Sequence, residues 1–342
     1  MKTGDTASRL ILLNNWLERQ LSPDVAKHDF KLTPASSDAS FRRYFRITLP
    51  NAETRIVMDA PPEREDCRPF IRTAALFREA GVHVPVIHVM NLEHGFLLLS
   101  DLGDKTYLEA LDISTAPELY RDAAAALIAI QRASCPDVLP DYDRTLLRRE
   151  MDMFPEWYVA RHLGVAMSPQ QNSDFHSVSE KILDNALAQP KVFVHRDYHS
   201  RNLMATSHDN PGILDFQDAV YGPITYDIVS LFRDAYIDWE EELELDFVIR
   251  YWEAARDAKL PVPPDFYDFY RDYEWMGAQR QLKVIGIFSR LCHRDGKDGY
   301  LKDLPRVMAY LRRVCARYTE LRPLARLLNQ FEKVQPRTCL TF

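Results

Sequence analysis

Apolar residues recur at helical spacing over residues 7–21, where Leu10, Leu13, Trp16 and Leu17 fall on one face and predict an amphipathic helix. From Phe30 to Met58 the period shortens. Ser40–Ile47 is aromatic-rich and roughly alternating, Asn51-Ala52-Glu53 reads as a turn, and Thr54–Met58 resumes the strand pattern. Pro61-Pro62 breaks the chain, and a helix is predicted from about Arg68 to Ala80, ending at Gly81. Val84–Val89 and Gly95–Leu99 read as two further strands. After Asp101-Leu102-Gly103 the character changes. Thr115-Ala116-Pro117-Glu118 has the spacing of a capping box and opens a helix running to about Arg132. Helical patterns follow at about 145–162, 173–188, 226–237, 240–258, 266–291 and 304–321. They are interrupted over 192–215 by three strand-like pieces, Lys191–His195, Leu203–Thr206 and Ile213–Asp215. The layout predicts an α+β chain with a small β-rich lobe over residues 1–103, a hinge at about 99–103, and a large helical lobe over 104–342.

The bulk properties narrow the function classes. A chain of 342 residues exceeds one ordinary domain, in keeping with two lobes. The net charge of −7 argues against bulk nucleic-acid binding, while a nucleotide needs only a local positive site. Cys67, Cys135, Cys292, Cys315 and Cys339 are scattered without a CxxC pair, which argues against a disulfide framework or a zinc site and for a reducing cytoplasm. The start, MKTGDTASRL, lacks the apolar core of a signal peptide, and no apolar run approaches the roughly 18 residues of a membrane span. A cytoplasmic protein without membrane insertion is expected.

The densest chemistry lies in His195-Arg196-Asp197-Tyr198-His199-Ser200-Arg201-Asn202, which satisfies H-R-D-x-x-x-x-N, followed after Gly212-Ile213-Leu214 by Asp215-Phe216-Gln217. In that pattern the aspartate accepts the proton of an attacking hydroxyl, and an amide oxygen with a second carboxylate holds magnesium against nucleotide phosphates. Asp197 is therefore the expected base, Asn202 and Asp215 the expected metal ligands, and ATP with magnesium the expected cofactors.

Asp215-Phe216-Gln217-Asp218 and Tyr221-Gly222-Pro223-Ile224-Thr225-Tyr226-Asp227, together with the loop at Asp197, resemble the aminoglycoside phosphotransferase and choline kinase superfamily of small-molecule kinases. The resemblance implies a bilobal protein-kinase-like fold, with Asp227 at a helix start holding the catalytic loop and His195 supporting it. Ser37–Arg46, Met58–Glu63, Asp101–Asp104, Met153–Tyr158 and Leu282–Phe288 are similar to the N-acetylmuramate/N-acetylglucosamine anomeric kinases of bacterial cell-wall recycling, over about residues 10 to 325. That likeness implies phosphorylation of the anomeric C1 hydroxyl of an amino sugar, with the sugar 1-phosphate passing to a nucleotidyltransferase. An aminoglycoside or choline-like acceptor and a nucleotide-binding pseudokinase are the competing readings.

Two departures stand out. Where a glycine-rich phosphate loop is usual, the chain has Ser36-Ser37-Asp38-Ala39-Ser40, leaving Ser37 and Ser40 hydroxyls and backbone amides for the phosphates. Where the third strand should end in lysine it has Met58-Asp59, so Arg42, Arg43, Arg46, Arg68 and Arg72 become candidate cations, or Asp59 answers an arginine on the next helix, the one carrying Arg68 and Arg72, in a pair of reversed polarity. Adenine is expected at the backbones of Ser100 and Leu102. For the sugar, Glu150, Glu156, Trp157, Asp218, Arg233, Arg280 and His293 are the candidates in the second lobe.

Overall fold

The computed structural model describes residues 3–21, 30–36, 41–49 and 51–331. The chain divides into two compact units, residues 1–105 with 206–218, and residues 106–205 with 219–342.

The first unit is built on a five-stranded sheet. Strands β1 (Lys31–Ser36), β2 (Arg43–Thr48), β3 (Thr54–Asp59), β4 (Ile87–Asn91) and β5 (Phe96–Ser100) lie in the order β1-β2-β3-β5-β4, each antiparallel to its neighbours. Helix α1 (Thr3–Gln20) places Leu13, Trp16 and Leu17 against Ile47, Val57, Phe96 and Leu98, so the apolar stripe and the strand alternation meet in one core. Helix α2 (Arg68–Glu79) buries Phe70, Thr73, Ala74 and Phe77, and the chain leaves it through Gly81 at φ +84°. The segment 206–218, which the sequence pattern assigned to the helical lobe, clusters with this unit. It is tied there by a parallel bridge between His83 and Gly212, where the Ile213 amide donates to the His83 carbonyl at 2.7 Å.

The second unit is helical: α3 (Tyr107–Ala110), α4 (Ala116–Arg132), α5 (Arg144–Met151), a π-helical segment Phe154–Leu163, α6 (Pro169–Ala188), α7 (Tyr226–Phe232), α8 (Glu241–Asp257), α9 (Phe266–Asp295), α10 (Leu304–Arg317) and α11 (Arg322–Phe331). A two-stranded antiparallel piece, β6 (Lys191–Val194) with Val220–Pro223, precedes and follows the catalytic loop. The second of these strands lies outside the pieces expected from sequence. The capping box expected at Thr115–Glu118 does not form. Thr115 Oγ1 donates instead to the Ala110 carbonyl at 2.8 Å, and a capping box forms at the start of the preceding helix α3, between Thr106 and Glu109. The pattern at 145–162 resolves into α5 and the π-helical segment. There Gly286 of α9 approaches so closely that a Cβ on it would lie 2.5 Å from the Met153 carbonyl carbon.

Helix α9 organises this unit. From Tyr273 to Gly286 every residue is buried, including Glu274, Gln279, Arg280, Gln281 and Lys283. Buried polar groups on one element need partners: Gln279 and Lys283 find theirs in Glu150, behind the loop that carries Asp197, whereas Glu274 holds Arg233. Among the described residues no helix is long and apolar enough to cross a membrane. Cys67, Cys135 and Cys315 are free, whereas Cys292 on α9 is disulfide-bonded, a departure from the all-thiol expectation.

Candidate active site

Strand β6 delivers the apolar run Val192-Phe193-Val194 into the core and ends at His195. The chain then turns through Arg196 at φ +77°, a left-handed conformation that costs energy for a side chain other than glycine. Asp227, buried in the first turn of α7, holds that turn: its carboxylate accepts the amides of His195 at 2.7 Å and Arg196 at 3.0 Å. Burial pushes the Asp227 carboxyl up to about 7, against the pull of those two amides. Further on, the Ser200 amide donates to Asp234 at 2.9 Å, and the Tyr198 hydroxyl to the Ala123 carbonyl at 2.8 Å. Asn202 closes the loop, its amide nitrogen donating to the Asp197 carbonyl at 3.0 Å. That bond orients the Asn202 amide and turns its oxygen to the other side. Asp197 itself is only partly buried.

Behind the loop lies a buried charge network. Glu150, 2 % exposed, accepts from Arg196 at 2.5 Å, from Gln279 at 3.3 Å and from the Tyr142 hydroxyl, and Lys283 stands 3.2 Å from its carboxylate. Lys283 also donates to the Tyr226 hydroxyl at 2.8 Å. Burial opposes every charge here, yet the pairing prevails: Glu150 is held below the usual carboxylate range by Lys283 and Arg196, and Lys283 is raised by Glu150, Tyr226 and Asp197. Burial would raise Asp197 too, but Lys283, His199, Arg196 and Arg280 outweigh it and bring its carboxyl down to about 2. The site thus keeps an ionised carboxylate as a hydrogen-bond acceptor at neutral pH.

Next to this loop are groups without anionic partners. Arg201 lies 3.7 Å above the Tyr236 ring and 5.7 Å from that of Tyr300, with Phe288 packed against both rings. His199 meets Tyr236 edge-on, and its Nδ1 has no hydrogen-bond partner among the described residues.

In the first unit, Asp215 adopts φ +63° and accepts from Gln217 Nε2 at 2.7 Å. Phe216 behind it is fully buried, stacked on Phe70 at 4.9 Å and near Phe77 at 5.8 Å, which anchors the loop to α2. Arg42 pairs with Glu65 at 3.0 Å. Its guanidinium is raised, burial notwithstanding, by Tyr44, Glu65, Asp215 and Asp218. Asp59, at the position of the absent lysine, is fully buried and faces Arg43 across the β2–β3 register. Arg43 Nε donates to its Oδ2 at 3.0 Å and Arg9 of α1 to its Oδ1 at 2.7 Å. The arginine that answers Asp59 from a helix therefore comes from α1. Arg68, 81 % exposed, and Arg72, also exposed, do not. Arg46 is committed to Asp101 at 2.6 Å. The Ser100 amide and hydroxyl are both engaged with Val86, each at 2.9 Å, so the Ser100 N–H is not open to a base. Leu102 is buried, its side chain against Gly212.

Asn202 and Arg233 sit on the second unit with Asp197, His195, Glu150, Trp157 and Asp227, whereas Arg43, Ser100, Leu102, Asp215 and Asp218 belong to the first. Ser37 and Ser40 lie outside the described residues. Two sugar-contact candidates are reassigned by their burial. Glu150 supports the loop, and Arg233, 1 % exposed, is held by Glu244 at 2.6 Å and Glu274 at 3.1 Å, away from any acceptor. Trp157 is partly buried on the π-helical segment with Arg161 over its ring, Glu156 and Asp218 are exposed, and His293 contacts His162 at 3.0 Å. Lys283, Tyr142, Gln279 and Asp234 escaped the sequence reading, because their separation from the loop in sequence leaves no local pattern.

An H-R-D-x-x-x-x-N loop held by an aspartate at a helix start, with an Asp-Phe-Gln turn anchored on aromatic rings, is the equipment of a protein-kinase-like phosphotransferase. The chain belongs to the phosphotransferase enzyme family (APH), whose profile matches residues 31–262. It is 53 % identical over 327 residues to an N-acetylmuramate/N-acetylglucosamine kinase from Pseudomonas aeruginosa, covering 94 % of this chain and 96 % of that one. To a protein of the same name from Neisseria meningitidis it is 50 % identical, covering 94 % and 95 %. In fold it is similar to the crystal structure of aminoglycoside phosphotransferase APH(2'')-Ib with ADP bound, at a TM-score of 0.56 and 14 % identity over 86 % of this chain and 96 % of that one.

Proposed function

We propose that the chain is an ATP-dependent sugar kinase that phosphorylates the anomeric C1 hydroxyl of N-acetylmuramate and N-acetylglucosamine. The observation that carries this reading is identity of about half over nearly the whole length of two proteins named as such kinases, joined to a complete catalytic loop. Asp197, ionised and hydrogen-bonded into its loop, orients the acceptor hydroxyl and takes its proton as the γ-phosphoryl group is transferred in line. Asn202 and Asp215 are the proposed oxygen donors for magnesium. Both offer the hard oxygen that magnesium prefers, and each is oriented by a neighbour, the Asp197 carbonyl and Gln217. Magnesium, when bound, neutralises phosphate charge as it develops. Arg43, and Ser37 and Ser40 from the sequence pattern, are the proposed phosphate contacts, and Leu102 a backbone contact of the base. His195 and Asp227 hold the loop in register, while Trp157 and Asp218 remain proposed sugar contacts. A cytoplasmic enzyme of cell-wall recycling, handing a sugar 1-phosphate to a nucleotidyltransferase, fits this chemistry.

The test is coupled measurement of ADP release with both amino sugars, an aminoglycoside and choline, followed by identification of the phosphorylated carbon by phosphorus NMR. Amino-sugar-dependent turnover giving a 1-phosphate, lost in Asp197→Asn, is the expected result. Turnover with the aminoglycoside or choline alone rejects the reading, and a 6-phosphate product rejects the anomeric assignment.

A further inference from the structure

Several buried or half-buried arginines among the described residues come with carboxylates: Arg9 and Arg43 with Asp59, Arg46 with Asp101, Arg196 with Glu150, Arg233 with Glu244 and Glu274. Two arginines at the catalytic loop differ from these. Arg280 of α9 is 5 % exposed, its Nε has no hydrogen-bond partner, and among the described residues it makes no ion pair. Its charge nevertheless reaches Asp197 and His199. Arg201, inside the loop, has its guanidinium against Tyr236 and Tyr300 and no carboxylate among the described residues. Arg201 is half-buried, whereas a buried guanidinium such as that of Arg280 is costly without a paired anion, a cost that a ligand carboxylate would offset.

Resting on the amino-sugar reading above, we infer that Arg280 and Arg201 bind the carboxylate of the acceptor, the lactyl group that distinguishes N-acetylmuramate from N-acetylglucosamine. The surroundings favour an acceptor over a polyphosphate. Tyr236, Phe288 and Tyr300 pack in a continuous aromatic row, with ring centroids 6.0 Å and 5.2 Å apart; it backs Arg201 and leaves the half-buried Tyr300 ring for the C–H faces of a pyranose or a lactyl methyl group. The unpartnered Nδ1 of His199 stands at the edge of Tyr236, placed for a sugar hydroxyl or acetamide. The guanidinium fork recognises a carboxylate through two parallel hydrogen bonds, which a neutral sugar cannot offer. These two arginines therefore act as specificity residues for the acidic amino sugar, Arg280 lending its positive potential to Asp197 as well.

The experiment compares kcat/KM for N-acetylmuramate, its lactyl methyl ester and N-acetylglucosamine in the full-length wild type, Arg280→Gln and Arg201→Gln. The ratio of N-acetylmuramate to N-acetylglucosamine is expected to fall by about 10- to 100-fold in Arg280→Gln, the loss of a hydrogen bond to a charged group, and to move in the same direction in Arg201→Gln. Wild type is expected to favour the acid over its ester by about 10-fold or more, a comparison that holds even if Arg280→Gln fails to fold. An unchanged ratio in the variants, equal use of acid and ester by wild type, or a change confined to the KM for ATP overturns the inference while leaving the amino-sugar reading intact. Turnover of neither sugar by wild type overturns that reading and this inference with it.

Discussion

Glu150 and Lys283 offer a quantitative check on the idea that a buried charge network positions the catalytic loop. The ammonium lies 3.2 Å from the carboxylate and both side chains are almost wholly buried. At an effective dielectric of about 20, that separation corresponds to roughly 5 kcal/mol of attraction, most of it offset by the desolvation of two ions. Glu150→Gln leaves Lys283 with the Tyr226 hydroxyl and removes the Glu150 carboxylate from Arg196, an excess of buried positive charge that should cost about 3–5 kcal/mol. Lys283→Met is milder, about 2–3 kcal/mol, because Glu150 keeps Arg196, Gln279 and Tyr142. In the double variant both charges are gone, and the total should fall about 1–3 kcal/mol short of the sum of the singles. Urea denaturation at constant m-value measures all three. In the same proteins kcat should fall about 10- to 100-fold in Glu150→Gln, since Arg196, whose guanidinium loses the Glu150 carboxylate, adjoins Asp197 in the chain. Additivity within about 0.5 kcal/mol would refute the coupled network and reduce Glu150 to an ordinary buried acid.

Asp197→Asn should lower kcat by about 10²- to 10⁴-fold while nucleotide affinity, read by calorimetry, is retained; unchanged turnover removes Asp197 as base. Asp227→Ala leaves two buried loop amides without an acceptor and should destabilise by about 3–6 kcal/mol, measured by urea denaturation, with loss of turnover at temperatures where the protein remains folded. Gly286→Ala drives a methyl group into the Met153 backbone and should cost about 1–3 kcal/mol in the same assay, since neither helix can yield as a flexible side chain would. His162 gives a pH dependence. Burial, aided by the neighbouring His293, lowers it from 6.5 to about 4, so the folded protein resists a proton that the unfolded chain accepts. Its contribution is present above pH 6.5 and is lost as pH falls through about 4, on the order of 3 kcal/mol. Stability profiles of wild type and His162→Gln between pH 7.5 and 4 should differ in slope across that window, and parallel profiles would exclude the histidine.

The sequence was most legible where local spacing and chemistry coincide. The loop at Asp197, the turn at Asp215, the strands Arg43–Thr48 and Thr54–Asp59 and the helix from Arg68 are all patterns within a dozen residues, and the structure forms these elements close to the expected bounds. The segment 154–163 reads as ordinary helix, and its apolar spacing carries no sign of the π-helical winding it adopts beside the close approach of Gly286 to Met153. Thr115 and Glu118 have the spacing of a capping box, but the Ala110 carbonyl competes for the Thr115 hydroxyl. Arg233 looked like a polar side chain available to a sugar. Only the placement of Glu244 and Glu274 around it reveals an internal ion pair. A residue type shows what a side chain can bond, whereas burial decides whether a ligand can reach it.

That distinction bears most on the missing lysine. Asp59 in its place looks like a lost cation and a reversed charge, but the charge of the neighbourhood is not reversed. The buried carboxylate divides its oxygens, Oδ1 to Arg9 and Oδ2 to Arg43, so one negative charge stands between two positive ones. Arg9 is further tied to the His94 carbonyl at 2.5 Å, which fixes it as the structural member of the pair. Arg43 spends Nε and one terminal nitrogen on Asp59 and has a second terminal nitrogen beyond that pairing. A guanidinium held rigid by a buried carboxylate is better pre-organised than a flexible ammonium, because the entropy of fixing the side chain is lost on folding and not on binding. The end of this sheet therefore keeps a net positive charge by a different route, with the buried aspartate orienting Arg43, the residue proposed above to contact phosphate.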